Sequence, residues 1–242
     1  MTGDAGSRLR SLNPQSLDAL AAWYDVELTY SSNAIEGGSL TRGETAIVLE
    51  RGFNGGDKPL KDRLEATGHR DALRFVRSLV ASGEWVRESD IRELHRLIAV
   101  RTDPAQAGRY TRHQRVIADA PIVPASPAEI PALMGEFTDW LADAPAVPET
   151  AFAAHARLIA INPFVGGNGR VARLLMNLVL MRAGYPPVVI GPEHRAAYID
   201  ALQALQLRGD PERYQRFMSE RVEASLDHHL AMLERVTPPS AG

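Results

Sequence analysis

The stretch Ile161-Asn162-Pro163-Phe164-Val165-Gly166-Gly167-Asn168-Gly169-Arg170, continued by Val171-Ala172-Arg173, constrains this chain more than any other. It joins an apolar helical segment, 151–161, to a second, 170–183, in which Val171, Leu174, Leu175, Leu178 and Val179 recur at helical spacing. Three glycines and an asparagine in four residues form a tight turn, because these residues reach positive φ at little cost. Arg170 and Arg173 then lie at i, i+3 on the first turn of the second helix, one above the other. The product is a run of backbone N–H groups at a positive helix end beside two guanidinium forks, which is a cradle for polyphosphate. Taken singly, the glycine run also suits a plain C-cap and loop, and the arginine pair a solvated face. No Lys-Ser/Thr follows, so this is not a Walker loop, and no strand precedes it, so it is not a dinucleotide fingerprint.

Composition narrows the classes. With 242 residues, 45% hydrophobic and 24% charged, the chain suits one large domain or two small ones. The absence of cysteine excludes disulfides, thiolate zinc sites and cysteine nucleophiles. A net charge of −3 argues against a general nucleic-acid binder. There is neither an 18-residue apolar run nor an apolar signal core at the N-terminus, so a soluble, cytoplasmic protein without a membrane partner is expected. High Ala, Arg, Leu and Gly content suggests a bacterial source.

Apolar periodicity predicts helices over about 14–35, 41–51, 61–80, 89–100, 128–142, 149–161, 170–183, 193–207 and 211–235. Thr41-Arg42-Gly43-Glu44 is a capping box. Three prolines and the β-prone runs Tyr110-Thr111 and Val116-Ile117 predict a hairpin within 101–126. The fold class is therefore all-α with one small β-hairpin. It comprises a single domain over 14–236, a flexible N-terminus at 1–13 and a flexible tail at 237–242.

The opening stretch resembles the signature loop of the Fic (Fido) family, His-Pro-Phe-x-Asp/Glu-Gly-Asn-Gly-Arg-x-x-Arg, matched by Pro163, Phe164, Gly167, Asn168, Gly169, Arg170 and Arg173. Ser32-Asn33-Ala34-Ile35-Glu36-Gly37 resembles the family's inhibitory motif, on a helix over 14–37. Gly108-Arg109-Tyr110 and the following hairpin resemble its target-docking flap, over 105–126, and residues 155–183 its signature helix-loop-helix. The resemblance implies a Fic-like helical bundle related to enzymes that transfer AMP from ATP to a protein hydroxyl. It implies that Phe164, Gly167, Asn168, Gly169, Arg170, Arg173 and Tyr198 bind nucleotide or phosphate, and that Ser32 and Glu36 are inhibitory, Glu36 by pairing with Arg173. The implied partners are a nucleotide or phosphorylated small molecule and a target protein docked on the 110–124 flap. A homodimer is a further open alternative.

The sequence departs from that pattern where the chemistry depends on it most. The position of the family's general base is Asn162, and that of its acidic metal ligand is Gly166. A carboxamide does not accept a proton near pH 7, and loss of a positioned base costs about 10²–10⁴-fold in rate. With no carboxylate at 166, Mg²⁺ would be held by phosphates and water alone, so no metal-ligating residue is assigned and ATP or another nucleotide is the expected ligand. His155, seven residues before Asn162, shares its helix face and is the nearest alternative base; a core hydrogen-bonding role is the competing reading. His113, His194, Asp119 and the pair His228-His229 suit structural roles. Three functions stay open at this level: a non-AMPylating nucleotide or phosphate-ligand binder, an enzyme of changed chemistry on the same scaffold, and residual AMP transfer.

Overall fold

The computed structural model describes residues 14–52, 57–115 and 123–236. Nine α-helices lie within them: α1 (Pro14–Ile35), α2 (Arg42–Arg51), α3 (Leu60–Ser82), α4 (Glu88–Ala99), α5 (Ile130–Asp143), α6 (Pro148–Ile161), α7 (Asn168–Arg182), α8 (Arg195–Arg208) and α9 (Pro211–Val236). Every helix predicted from periodicity is present, with ends shifted by no more than two residues, as fraying termini allow. The termini expected to be flexible, 1–13 and 237–242, lie outside the described residues.

Helix α7 is the centre of the molecule. All ten residues from Val171 to Leu180 are buried, and α6, α3, α4 and α1 pack around it. A stretch enclosed on every side has to be apolar on every side, and residues 171–180 are, apart from Arg173 and Asn177. Asn177 spends both ends of its amide on Val188, donating to its carbonyl at 3.1 Å and accepting from its N–H at 2.7 Å. The segment before α8 is thereby pinned to the core. Helices α3 and α4 cross at Gly68, where a Cβ would lie 2.7 Å from the Leu97 carbonyl oxygen and 2.9 Å from that of Ile98. Only glycine allows the two backbones so close.

The second run of the predicted hairpin lies outside the described residues, so only its first run is seen. Tyr110 makes a single antiparallel bridge with Phe164, and the Thr111 N–H donates to the Pro163 carbonyl at 2.9 Å. Val116, Ile117 and Asp119 lie outside the described residues.

Candidate phosphate-binding site

Asn162 ends α6 in the left-handed conformation, φ 51° and ψ 55°. It is the one described non-glycine residue with positive φ. Asparagine tolerates that region, and the following Pro163 disfavours a further helical turn. Gly167, at φ 74°, caps the start of α7. Val171 is the first residue of α7 whose N–H reaches back, to the Gly167 carbonyl at 3.0 Å. The N–H groups of residues 168–170 have no intrahelical acceptor and face the helix N-terminus.

One side chain fixes the hydrogen-bond polarity of the loop. The Phe164 backbone N–H, which can only donate, gives its proton to Asn168 Oδ1 at 3.0 Å. Asn168 Nδ2 is therefore the donor end, and it serves the Phe164 carbonyl at 2.8 Å and Asn162 Oδ1 at 2.7 Å. The Asn162 amide is thereby turned with Oδ1 toward Asn168, which leaves its NH₂ as the donor end at the base position.

The arginines are held by α1 and α3. Arg173 is buried; its Nε donates to Ser32 Oγ at 3.0 Å, and Nη2 to the Ser32 carbonyl at 2.9 Å and to Glu36 Oε1 at 2.8 Å. The Ser32 carbonyl is one of the last four of α1, which have no intrahelical donor, and Arg195 Nε serves another, that of Ile35, at 2.9 Å. Glu36, with its side chain 39% exposed, sits against Gly169, where a Cβ would lie 2.5 Å from Oε1. Burial pushes the Glu36 carboxyl up, but Arg173, Arg170 and Arg195 outweigh it and hold it below the usual range. Arg170 Nη1 lies 3.3 Å from Glu65 Oε1 and 3.2 Å from Asn33 Oδ1, and its Nε is buried without a partner. Beside the loop, a cavity of about 340 Å³ is lined by Lys61, Glu65, His95, Asp103, Gly166 and Arg170, among others.

His155 is corrected as a candidate base. It is wholly buried, with Nε2 on the Tyr198 hydroxyl at 2.7 Å and Nδ1 on the Tyr214 hydroxyl at 2.8 Å. Tyr214 donates to the Phe152 carbonyl at 3.0 Å, so it accepts from His155 Nδ1, and Tyr198 donates to Nε2. Burial, with the Arg173 charge, pushes its pKa down to about 3. Tyr198 is likewise buried, with the Arg173 guanidinium 5.9 Å from its ring centre, and Phe164 is buried under the loop. Both side chains support the loop from behind, while Asn162, Gly167, Gly169 and Arg170 retain partial exposure. His113 is exposed on the flap segment, and His194 contacts Arg221 in a separate cavity beside α9. His228 stacks on Trp23, and His229 bonds the Tyr24 hydroxyl at 2.8 Å.

The sequence reading missed His95, Glu65 and Asn33 as neighbours of the loop. His95 carried a usable signal, a polar residue on the apolar stripe of Ile91, Leu94 and Ile98. Asn33 carried only its place in the 32–37 motif, and Glu65 carried none. Gly166 brings no side-chain oxygen at the position of the family's acidic residue, and a Cβ there would meet nothing within 4 Å. Among the described residues, no group of three or more His, Asp or Glu is placed to hold a metal.

The helical fold is shared with known proteins. The model of the Fic/DOC family matches residues 85–180. The chain is 38% identical over 207 residues to Protein adenylyltransferase Fic of Nematostella vectensis, covering 84% of this chain and 48% of that protein. It is 35% identical over 211 residues to Protein adenylyltransferase fic-1 of Caenorhabditis elegans, covering 85% and 41%. It thus spans less than half the length of either. Among solved structures, Fic-1 from C. elegans superposes with a TM-score of 0.80 at 32% identity, covering 96% of this chain and 67% of that one. A Fic domain containing signaling protein from Bacteroides thetaiotaomicron gives 0.87 at 29% identity, with 99% of both chains covered. The chain belongs to the Fic/DOC family.

Proposed function

We propose that this chain binds a nucleotide or another phosphorylated small molecule at the 162–173 loop and does not carry out the AMP transfer for which its relatives are named. The observation that carries this reading is the bond from Asn168 Nδ2 to Asn162 Oδ1 at 2.7 Å. It leaves a hydrogen-bond donor where the chemistry needs a proton acceptor, and a donor favours an anionic oxygen over a hydroxyl hydrogen. The helix N-terminus, Arg170 and Arg173 supply the positive field. Glu36 lies on Arg173 as an internal anion that a phosphate would compete with. The flap segment from Tyr110 onward, bridged to the loop, is the surface for a protein target, and the site of action is the cytoplasm.

Calorimetric titration with ATP, ADP and AMP tests the reading: ADP should bind, and Arg173→Ala should weaken it about tenfold or more, the scale of a lost charged hydrogen bond. No heat at millimolar ligand would refute it. The double variant Asn162→His with Gly166→Asp should gain transfer of labelled AMP that the unaltered chain lacks. Transfer by the unaltered chain at a comparable rate would refute the non-transferring part.

A further inference from the structure

We infer that His95 is a positioning residue for the signature loop, turning the Gly167 N–H outward as an anion donor; this rests on the phosphate-binding reading above. His95 lies on α4, 2% exposed, with its ring parallel to that of Phe164 at 3.9 Å between centres and 6° between planes. The Gly108 backbone N–H donates to His95 Nδ1 at 3.0 Å. Since that group can only donate, Nδ1 is the acceptor and the neutral ring carries its proton on Nε2. Nε2 therefore donates to the Gly166 carbonyl, 3.0 Å away. Burial keeps the ring neutral, with its pKa pushed down to about 4.

In a trans peptide, the carbonyl of one residue and the N–H of the next point in opposite directions. No described peptide bond is cis. Holding Gly166 O against α4 thus aims the Gly167 N–H away from α4. Gly167 has positive φ and packs over the imidazole, with a Cβ position 3.5 Å from His95 Cδ2. An outward N–H at a left-handed glycine, followed by the N–H groups opening α7, forms a concave row of donors suited to a phosphate oxygen. His95 also receives Gly108, whose carbonyl accepts from Arg92 Nε at 2.9 Å. One ring therefore ties the base of the flap segment to the loop.

Two variants separate its two bonds. His95→Gln places an amide near the Nε2 position and can still donate to Gly166 O. His95→Asn is shorter; it can accept from Gly108 but not reach Gly166. His95→Phe keeps the stack, loses both bonds, and substitutes for H95N if that variant does not fold. ADP affinity is measured by calorimetry, exchange of the 165–169 amides by mass spectrometry, and folding by thermal midpoint. H95N or H95F should bind ADP roughly tenfold more weakly and exchange these amides faster, while H95Q stays within about twofold of the unaltered chain. The inference is overturned if H95N or H95F matches the unaltered chain in both readouts, or if H95Q falls as far as they do. If the unaltered chain binds no ADP, the phosphate-binding reading fails by itself. Amide exchange then decides: loop exchange in H95N or H95F no faster than in the unaltered chain overturns the positioning role.

Discussion

Asn168 and Tyr198 show how single residues set the site. Asn168 makes three bonds across the turn, so removing its amide frees both Asn162 and the Phe164 peptide. Tyr198 completes a directional chain, donating to His155, which donates to Tyr214, which donates to the Phe152 carbonyl. Tyr198→Phe removes the donor to a wholly buried imidazole nitrogen. Such an unsatisfied group costs about 1–3 kcal/mol, and the loss should appear as a lowered urea midpoint at constant slope. A midpoint unchanged from the unaltered chain would show that this hydroxyl does not support His155. At the same scale, His95 was recognisable as a polar residue on an apolar stripe. Its two partners, Gly108 and Gly166, were not, because one lies on a turn and the other on a loop with no periodicity.

Among the elements, α1 packs directly on α7. The pair Glu36–Arg173 joins them, beside the bonds from Arg173 to Ser32. If the carboxylate competes with the distal phosphate, Glu36→Gly should tighten ATP binding about tenfold and ADP binding less. Equal gains for both ligands, read by calorimetry, would count against competition at the distal position. Helices α3 and α4 define a different constraint. Gly68→Ala forces a methyl onto two backbone carbonyls, neither of which is a flexible side-chain end. Overpacking of this kind costs about 1–3 kcal/mol, so the thermal midpoint should fall; an unchanged midpoint would mean that the crossing relaxes freely. The helices themselves were legible as 3.6-residue apolar patterns. The partner of Tyr110 was not, since β-prone residues signal an extended chain but not what it pairs with, here Phe164.

At the scale of the whole molecule, His69, His95, His155 and His229 are buried, and burial lowers the pKa of each. Burial, with nearby arginine charge, pushes His69 and His155 down to about 3, and burial pushes His95 to about 4. For a histidine with a depressed folded pKa, the unfolded chain binds the extra proton between the two values, so stability is present above the ordinary value near 6.5 and is lost as pH falls. Each contributes up to about 1.4 kcal/mol per pH unit in that window. The thermal midpoint should fall steadily from pH 7 to pH 4. His155→Gln should reduce proton uptake on unfolding at pH 5 by about one. Uptake equal to that of the unaltered chain would show that His155 is protonated in the fold. Sequence alone determined the helices, the left-handed turn between α6 and α7, and the absence of a base at 162 and a carboxylate at 166, because periodicity and side-chain chemistry are local properties. Tertiary structure decided which carboxylate meets which arginine, which way the Asn162 amide faces, and that His155 is sealed. Arg173 and Glu36 stand 137 positions apart, and only the packing of α1 on a helix buried on every side brings them to one hydrogen bond.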